Sequence, residues 1–304
     1  MKKFLALMLA MLMALSLVAC GKQEAAAPAA DDGAAEPEAV DYSAMSLDEL
    51  KACLTTVDAG KLTVATSPDF APYEFYVVGD DGEPTLAGFD MDLAKLIAQK
   101  LGLELEVIPM DFDGTISELG AGKCDLGLAG YSPDPTREDL MDFSEIYYKG
   151  GQSFWCTKAT ADKFTDLASA NNPDYTIGAQ TGSIQADLAK ENTPDAYILD
   201  MAKVTDIIAD MLAGNMDGAF IETAVGETYA KNYPDLVKVC DVPYDQEGSA
   251  VGVYKGNEAL LCAVNLVIKD ALADGTIDGF VATANDLSAG EHFILVDGEI
   301  VLDE

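Results

Sequence analysis

Few residues in this chain are equipped to do chemistry. Its 304 residues carry 18 Lys and Arg against 53 Asp and Glu, so a base inside a polar stretch stands out. Arg137 closes the stretch Ser132-Pro133-Asp134-Pro135-Thr136-Arg137. Its guanidinium is a planar fork of donors that matches the two oxygens of a carboxylate. Taken alone, it reads first as a surface arginine paired with Glu138 or Asp139. Gln180-Thr181-Gly182-Ser183 falls between a strand-like and a helix-like stretch, which puts Ser183 at a helix N-terminus. Free amide N–H groups there favour an anion. A plain serine N-cap has the same sequence.

Other chemistries are set aside. The single histidine, His292, lies in the tail, and Gly-x-Ser-x-Gly does not occur, which argues against a hydrolase triad. Six cysteines occur without a Cys-x-x-Cys spacing, so zinc or redox chemistry is not expected. With Cys20 assigned to export, Cys53, Cys124, Cys156, Cys240 and Cys262 are an odd set. Cys156 and Cys240, both in strand-like stretches, remain a candidate pair. Asp134, Asp139 and Asp142 lack the fixed spacing of a calcium loop and read as a solvated face. No metal and no cofactor are expected. A formal net charge of −35 excludes a nucleic-acid partner and disfavours an anionic membrane surface as a docking site.

The N-terminus is read as a targeting segment. Lys2 and Lys3 precede an apolar run from Phe4 to Val18 that is shorter than a bilayer span. It ends in Leu17-Val18-Ala19-Cys20, which resembles a bacterial lipobox. The expectation is therefore a signal peptide at 1–19 and lipid attachment at Cys20. Residues 20–44, rich in Ala, Pro, Asp and Glu, read as a disordered tether. A short helix is expected within 45–60, capped by Ser46 with Asp48 and Glu49 in its first turn.

The elements that must position the candidate residues alternate between two periodicities. Lys61–Thr66 reads as a strand, Phe89–Leu101 as a helix with Leu93, Ile97 and Leu101 on one stripe, and 103–107 as a strand. A helix around Thr115–Leu119 and a strand Asp125–Ala129 follow. The pattern restarts with a strand at Tyr175–Ala179, a helix after Ser183 and a strand at Ala196–Leu199. A helix at Val204–Leu212 and a strand at Gly218–Ile221 complete it. Such alternation predicts parallel sheets covered by helices. Two runs broken near Lys149–Gln152 predict two α/β lobes. The tail carries two alternating stretches, 293–296 and 299–302, that read as a hairpin around Asp297-Gly298.

Five blocks then stand in order: Asp69-Phe70-Ala71-Pro72-Tyr73-Glu74-Phe75, Gly88-Phe89-Asp90-Met91-Asp92-Leu93-Ala94, Pro109-Met110-Asp111-Phe112-Asp113-Gly114, Ala129-Gly130-Tyr131-Ser132 with Arg137, and Asp142-Phe143-Ser144-Glu145-Ile146-Tyr147-Tyr148. Together they resemble the polar-amino-acid solute-binding proteins of ABC importers, extracellular solute-binding family three, from about Lys61 to Gly279. The resemblance implies a type II periplasmic-binding-protein-like α/β fold, two parallel-sheet lobes joined by two hinge strands. Lobe 1 is expected at 61–149 plus 250–291 and lobe 2 at 150–249, with a tail at 292–304. The crossovers are expected near Gly150–Ser153 and Gln246–Ala250, with a helix over Asn257–Leu272 back in lobe 1.

By the same resemblance Arg137 clamps a ligand α-carboxylate, Ser132 and Gly130 lie beside it, and Ser183 adds contacts from lobe 2. Phe70 and Phe112 match aromatic walls, although each alone reads as core. Ser67, Gln180 and Ile221 match side-chain contacts; none is charged, which favours a neutral ligand, while nearby Asp69 and Glu74 keep a cationic one open. Glu222 stands where the family has an Asp that holds the ammonium. The extra methylene shifts the carboxylate by about 1 Å or more, and a solvated loop acid is the alternative reading. The implied function is capture of an amino acid without chemistry by an exported monomer, periplasmic or lipid-anchored to the outer face of the cell membrane, that delivers to a membrane permease. Competing readings are an enzyme that dehydrates cyclic acids, with Glu222 or Glu74 as its acid, and a ligand-sensing domain.

Overall fold

The computed structural model describes residues 40–78, 83–245 and 248–289, together with the backbone at 293–296 and 299–302. The expected signal segment, Cys20, most of the tether, Gln246, His292 and the Asp297-Gly298 turn lie outside the described residues. Helical structure begins earlier than the tether boundary at 44 suggested. Tyr42–Ala44 forms a 3-10 turn because the Asp41 carboxylate accepts from the Ser43 amide at 3.1 Å. Helix α1 (Leu47–Lys51) occupies only the start of the 45–60 stretch. Ser46 and Glu49 form a capping box, and Leu50 is buried against the later helix at 258–273.

Strand β1 (Lys61–Thr66) is followed by a small antiparallel sheet of β2 (Asp69–Phe70), β3 (Glu74–Val78) and β4 (Pro84–Ala87). Helix α2 (Phe89–Leu101) buries the expected stripe of Leu93, Ile97 and Leu101. Its N-cap Gly88 has φ of 119°, and a Cβ there would sit 2.0 Å from the Tyr73 carbonyl oxygen, so only glycine lets this turn close. Then come β5 (Glu104–Pro109), α3 (Phe112–Gly120), β6 (Leu126–Gly127), a 3-10 turn at Pro135–Arg137 and β7 (Met141–Phe143).

The chain crosses into lobe 2 with β8 (Gln152–Thr157) and continues as β9 (Thr176–Gln180), α4 (Ile184–Asn192) and β10 (Tyr197–Met201). Helix α5 (Val204–Ala213), β11 (Gly218–Glu222), α6 (Thr223–Asn232) and β12 (Leu236–Val242) complete it. The return runs through β13 (Gly252–Tyr254), α7 (Glu258–Ala273), α8 (Thr276–Ser288) and the hairpin β14 (Phe293–Val296) and β15 (Glu299–Leu302). Helix α8, absent from the sequence reading, packs on α2 and α7.

The two main sheets have the orders β5-β1-β6-β13-β7 and β10-β9-β11-β8-β12. They are mixed, not parallel as expected. In lobe 1, β5, β1 and β6 are parallel while β13 runs antiparallel to β6 and β7. In lobe 2, β10, β9 and β11 are parallel while β8 runs antiparallel to β11 and β12. The reason is the crossovers: each strand entering from the other lobe arrives without a covering helix, so it need not run parallel. The crossovers lie side by side, with Ser249 donating its amide to the Tyr148 carbonyl at 2.7 Å.

Candidate functional site

The C-terminal ends of the parallel strands of both lobes open onto one cleft, the position that favours ligands in α/β sheets. Ser67 to Phe70 follow β1, Phe112 opens α3 after β5, and Gly130 and Ser132 follow β6. From lobe 2, Gln180 ends β9, Ser183 caps α4, and Glu222 ends β11. The lobes touch across this cleft. The Arg137 Nη2 donates to the Gly182 carbonyl at 3.0 Å, and Asp69 of lobe 1 accepts from Gln180 and Val204 of lobe 2.

Arg137 is 6% exposed, so it is not the surface ion pair with Glu138 or Asp139 that its sequence neighbours suggested. The guanidinium lies 5.6 Å from the Phe112 ring centroid. Its Nη1 is buried with no partner, and among the described residues no carboxylate reaches ion-pair distance of it. Burial pushes its pKa down from the usual value. A buried cation held by one carbonyl, with a donor left over, is chemically suited to take an anion. Ser132 is buried beside it, with Tyr244 of lobe 2 adjacent to both. The Gly130 amide is tied to Asp90 at 3.0 Å, and a Cβ on Gly130 would meet the Phe70 ring at 2.9 Å. Close approach of backbone and ring requires glycine there.

Ser183 keeps the helix-cap role. Its Oγ accepts from the Ala186 amide at 3.2 Å and donates to the Gln180 carbonyl at 2.7 Å. Its hydroxyl is thus engaged, and what the turn offers an anion is the first amides of α4. Phe70 and Phe112 are both buried and sit in different aromatic pairs, Phe70 with Tyr73 at 5.3 Å and Phe112 with Tyr131 at 5.7 Å.

The other end of the cleft centres on Asp69, which the sequence placed only as a nearby acid. Its carboxylate accepts from the Ser67 hydroxyl at 2.7 Å, the Gln180 amide at 3.1 Å and the Val204 backbone N–H at 2.6 Å. Ser67 and Gln180, predicted as side-chain contacts, are therefore brought together by Asp69; Ile221 is buried. A cavity of about 290 Å³ adjoins them, lined by Asp69, Tyr76, Asp111, Thr205 and Tyr229 among others. The Thr205 hydroxyl, buried, has no partner. No spacing signal marks Thr205 or Tyr229, because both reach the cleft from lobe 2 helices.

Behind Phe70, Glu74 is fully buried and neither of its oxygens accepts a hydrogen bond. Burial, then the Asp90 charge, hold its pKa well above the carboxylate range. Glu74 is therefore held neutral beside the Asp90 carboxylate. Asp90 also accepts from the Tyr147 hydroxyl at 2.6 Å. Glu222 is 4% exposed, not a solvated loop acid. It caps α6 by accepting the Val225 amide at 2.9 Å and takes the Gly151 amide at 3.3 Å. The five described cysteines are free thiols, so Cys156 and Cys240 do not pair.

Burial raises Asp69 and Asp90 to about 6 and Glu222 to about 7. The folded chain thus holds protons that the unfolded chain releases above about pH 4. The stability these three acids contribute is complete below the ordinary carboxylate range and is lost as pH rises from about 4 to about 7. Urea titrations at pH 5 and pH 7.5 should show a loss of up to about 5 kcal/mol, smaller in Glu222→Gln. Stability that rises over this range would contradict the burial of these acids.

Comparison with known proteins places the fold in a family. The sequence pattern of the bacterial extracellular solute-binding proteins, family 3, matches residues 62–283. The chain is 33% identical over 223 residues to the arginine-binding extracellular protein ArtP of Bacillus subtilis, covering 72% of this chain and 83% of that one. The solved structure of the amino acid ABC transporter substrate-binding protein AbpA of Streptococcus pneumoniae, bound to L-arginine, superposes with a TM-score of 0.73 at 31% identity. That match covers 80% of this chain and 99% of the other. An ancestral amino acid-binding protein, AncCDT-1, described as a precursor of cyclohexadienyl dehydratase, superposes with a TM-score of 0.67 at 32% identity. It covers 78% of this chain and 98% of its own. With its two-lobed fold and a cleft lined by strand ends, this chain belongs to the bacterial extracellular solute-binding proteins, family 3.

Proposed function

We propose that the chain captures one α-amino acid between its lobes without altering it and presents the closed form to the permease. The observation that carries this is the buried Arg137, whose Nη1 lacks a partner. An α-carboxylate would take that donor, with Ser132 and the first amides of α4 beside it. Glu222 would take the ammonium, on a lone pair that Val225 and Gly151 leave open. Phe70 and Phe112 would flank the side chain.

L-arginine is the first ligand to test. The side-chain end of the cleft holds Asp69 and Asp111 around the cavity, with the unpartnered Thr205 hydroxyl, and a long side chain ending in N–H donors suits it. Two relatives carry arginine in their names or structures. This weighs against the neutral ligand that uncharged Ser67, Gln180 and Ile221 favoured. Export with a lipid anchor at Cys20, and action as a monomer, remain part of the same proposal.

A thermal-shift screen of the twenty amino acids on the secreted chain tests it. A ligand at a hundredfold excess over its Kd should raise Tm by roughly 5–10 °C, with L-arginine ranking first. If no amino acid shifts Tm while a cyclic acid is consumed, the dehydratase reading replaces this one.

A further inference from the structure

Glu222 sits where the two lobes and both crossovers meet, and more of its surroundings depend on it than ammonium capture requires. It ends β11 and caps α6 in lobe 2. Oε1 accepts the amide of Gly151, in the first crossover. The Tyr73 phenol of lobe 1 faces the same carboxyl across Gly150, close enough to feel its charge. Tyr73 in turn accepts from the hydroxyl of Ser249, in the second crossover, at 3.3 Å. Gly150 fits between them with no room to spare. A Cβ there would lie 2.5 Å from Glu222 Oε1 and 2.9 Å from the Tyr73 oxygen. Tyr73 also packs on Phe70 at 5.3 Å, so this knot touches the expected side-chain wall.

The Glu222 side chain is long enough for one carboxyl to cap α6 and hold Gly151 while lying beside Tyr73. We propose that Glu222 couples the bound ammonium to the hinge, holding the first crossover through Gly151 and meeting, across Gly150, the Tyr73 phenol to which Ser249 of the second crossover donates, with Tyr73 as its positioning residue. The proposal rests on the amino-acid reading given above.

The clasp is charge-dependent. Only the carboxylate form accepts from Val225 and Gly151 on both oxygens while also facing an ammonium. Burial raises this group to about 7, so near neutrality the ligand-free site is partly protonated. A ligand ammonium stabilises the carboxylate, and the displaced proton leaves to solvent. Binding therefore tightens as pH rises toward 7 and levels off above it. The other titratable groups around Glu222 are Tyr148 and Lys149 of the first crossover, Glu227 of α6, and Lys238 and Asp241 of β12. Lys238 is engaged with Asp241 at 3.0 Å and Glu227 at 3.7 Å. Asp90 acts from behind Tyr73.

The test is isothermal titration with L-arginine, or with the amino acid ranking first in the thermal screen. Each protein is titrated from pH 5.5 to 8 in two buffers of different ionisation enthalpy. Wild type should release protons near pH 6.5, with affinity rising by up to about tenfold per pH unit below 7. Glu222→Gln should bind weakly and lose most of that release and slope. Tyr73→Phe should keep the site but move the midpoint of the slope. It should also leave a ligand-bound radius of gyration, by small-angle scattering, closer to the open form. Glu222→Asp should recover ammonium binding but not full closure. If wild type binds without releasing a proton, or if the variants keep its pH slope and its closure, the coupling is wrong while the binding reading stands. If wild type binds no amino acid at all, the reading beneath fails and takes the coupling with it.

Discussion

Arg137→Ala is expected to weaken amino-acid binding by about 2–5 kcal/mol, which is 30-fold or more in Kd. The ligand carboxylate would enter a desolvated site with Ser132 and helix amides but no cation. The same substitution should leave the ligand-free protein as stable or more stable. In that state Arg137 is a buried charge held by a single carbonyl, with Nη1 unpartnered, and a lone buried charge opposes folding. Arg137→Lys keeps the charge but loses the fork, so it should recover only part of the affinity. Titration calorimetry together with urea unfolding reads both quantities. Unchanged affinity would remove Arg137 from the site, and a large loss of ligand-free stability would make it a structural arginine instead.

The second large effect concerns the aromatic group behind the cleft. Phe89 is 2% exposed and packs on Tyr73 at 4.3 Å, Tyr148 at 5.0 Å and Tyr147 at 6.4 Å. Phe89→Ala should destabilise the protein by about 3–5 kcal/mol, since the strained turn at Gly88 and α2 limit collapse of the cavity. Phe89→Leu should cost under about 1.5 kcal/mol if the site repacks. Because Tyr73 rests on this ring, the alanine variant should also bind more weakly than its stability alone explains. Chemical unfolding and calorimetry at a temperature where the variant is folded separate the two effects. A loss below about 1 kcal/mol would mean that the aromatic group is not the support for Tyr73.

The fold was largely legible because its periodicities are local. The buried stripe of α2, the capping box at Ser46 and Glu49, and the strands at β1, β9 and β11 depend on neighbours a few residues away. Sheet direction was not legible. Periodicity marks a strand as buried on two faces, and says nothing about whether β8 and β13 enter parallel or antiparallel. Helix α8 was missed, and the small sheet β2–β4 is made of strands too short to carry a pattern.

For the site, sequence alone determined the order of the blocks and which loops follow which strands. It also marked the one departure, Glu for Asp at position 222. Those are properties of spacing and residue type. It did not determine whether Arg137 was a surface pair or a buried receptor, because burial is decided by residues of the opposite lobe. Asp69 became a bridge only when Gln180 and Val204 arrived from 111 and 135 residues away. Glu222 became part of the hinge only when Gly151 and Tyr73 closed on it from separate elements. Contacts across so many residues leave no local signature, so the tertiary structure alone decides how the candidate site is wired.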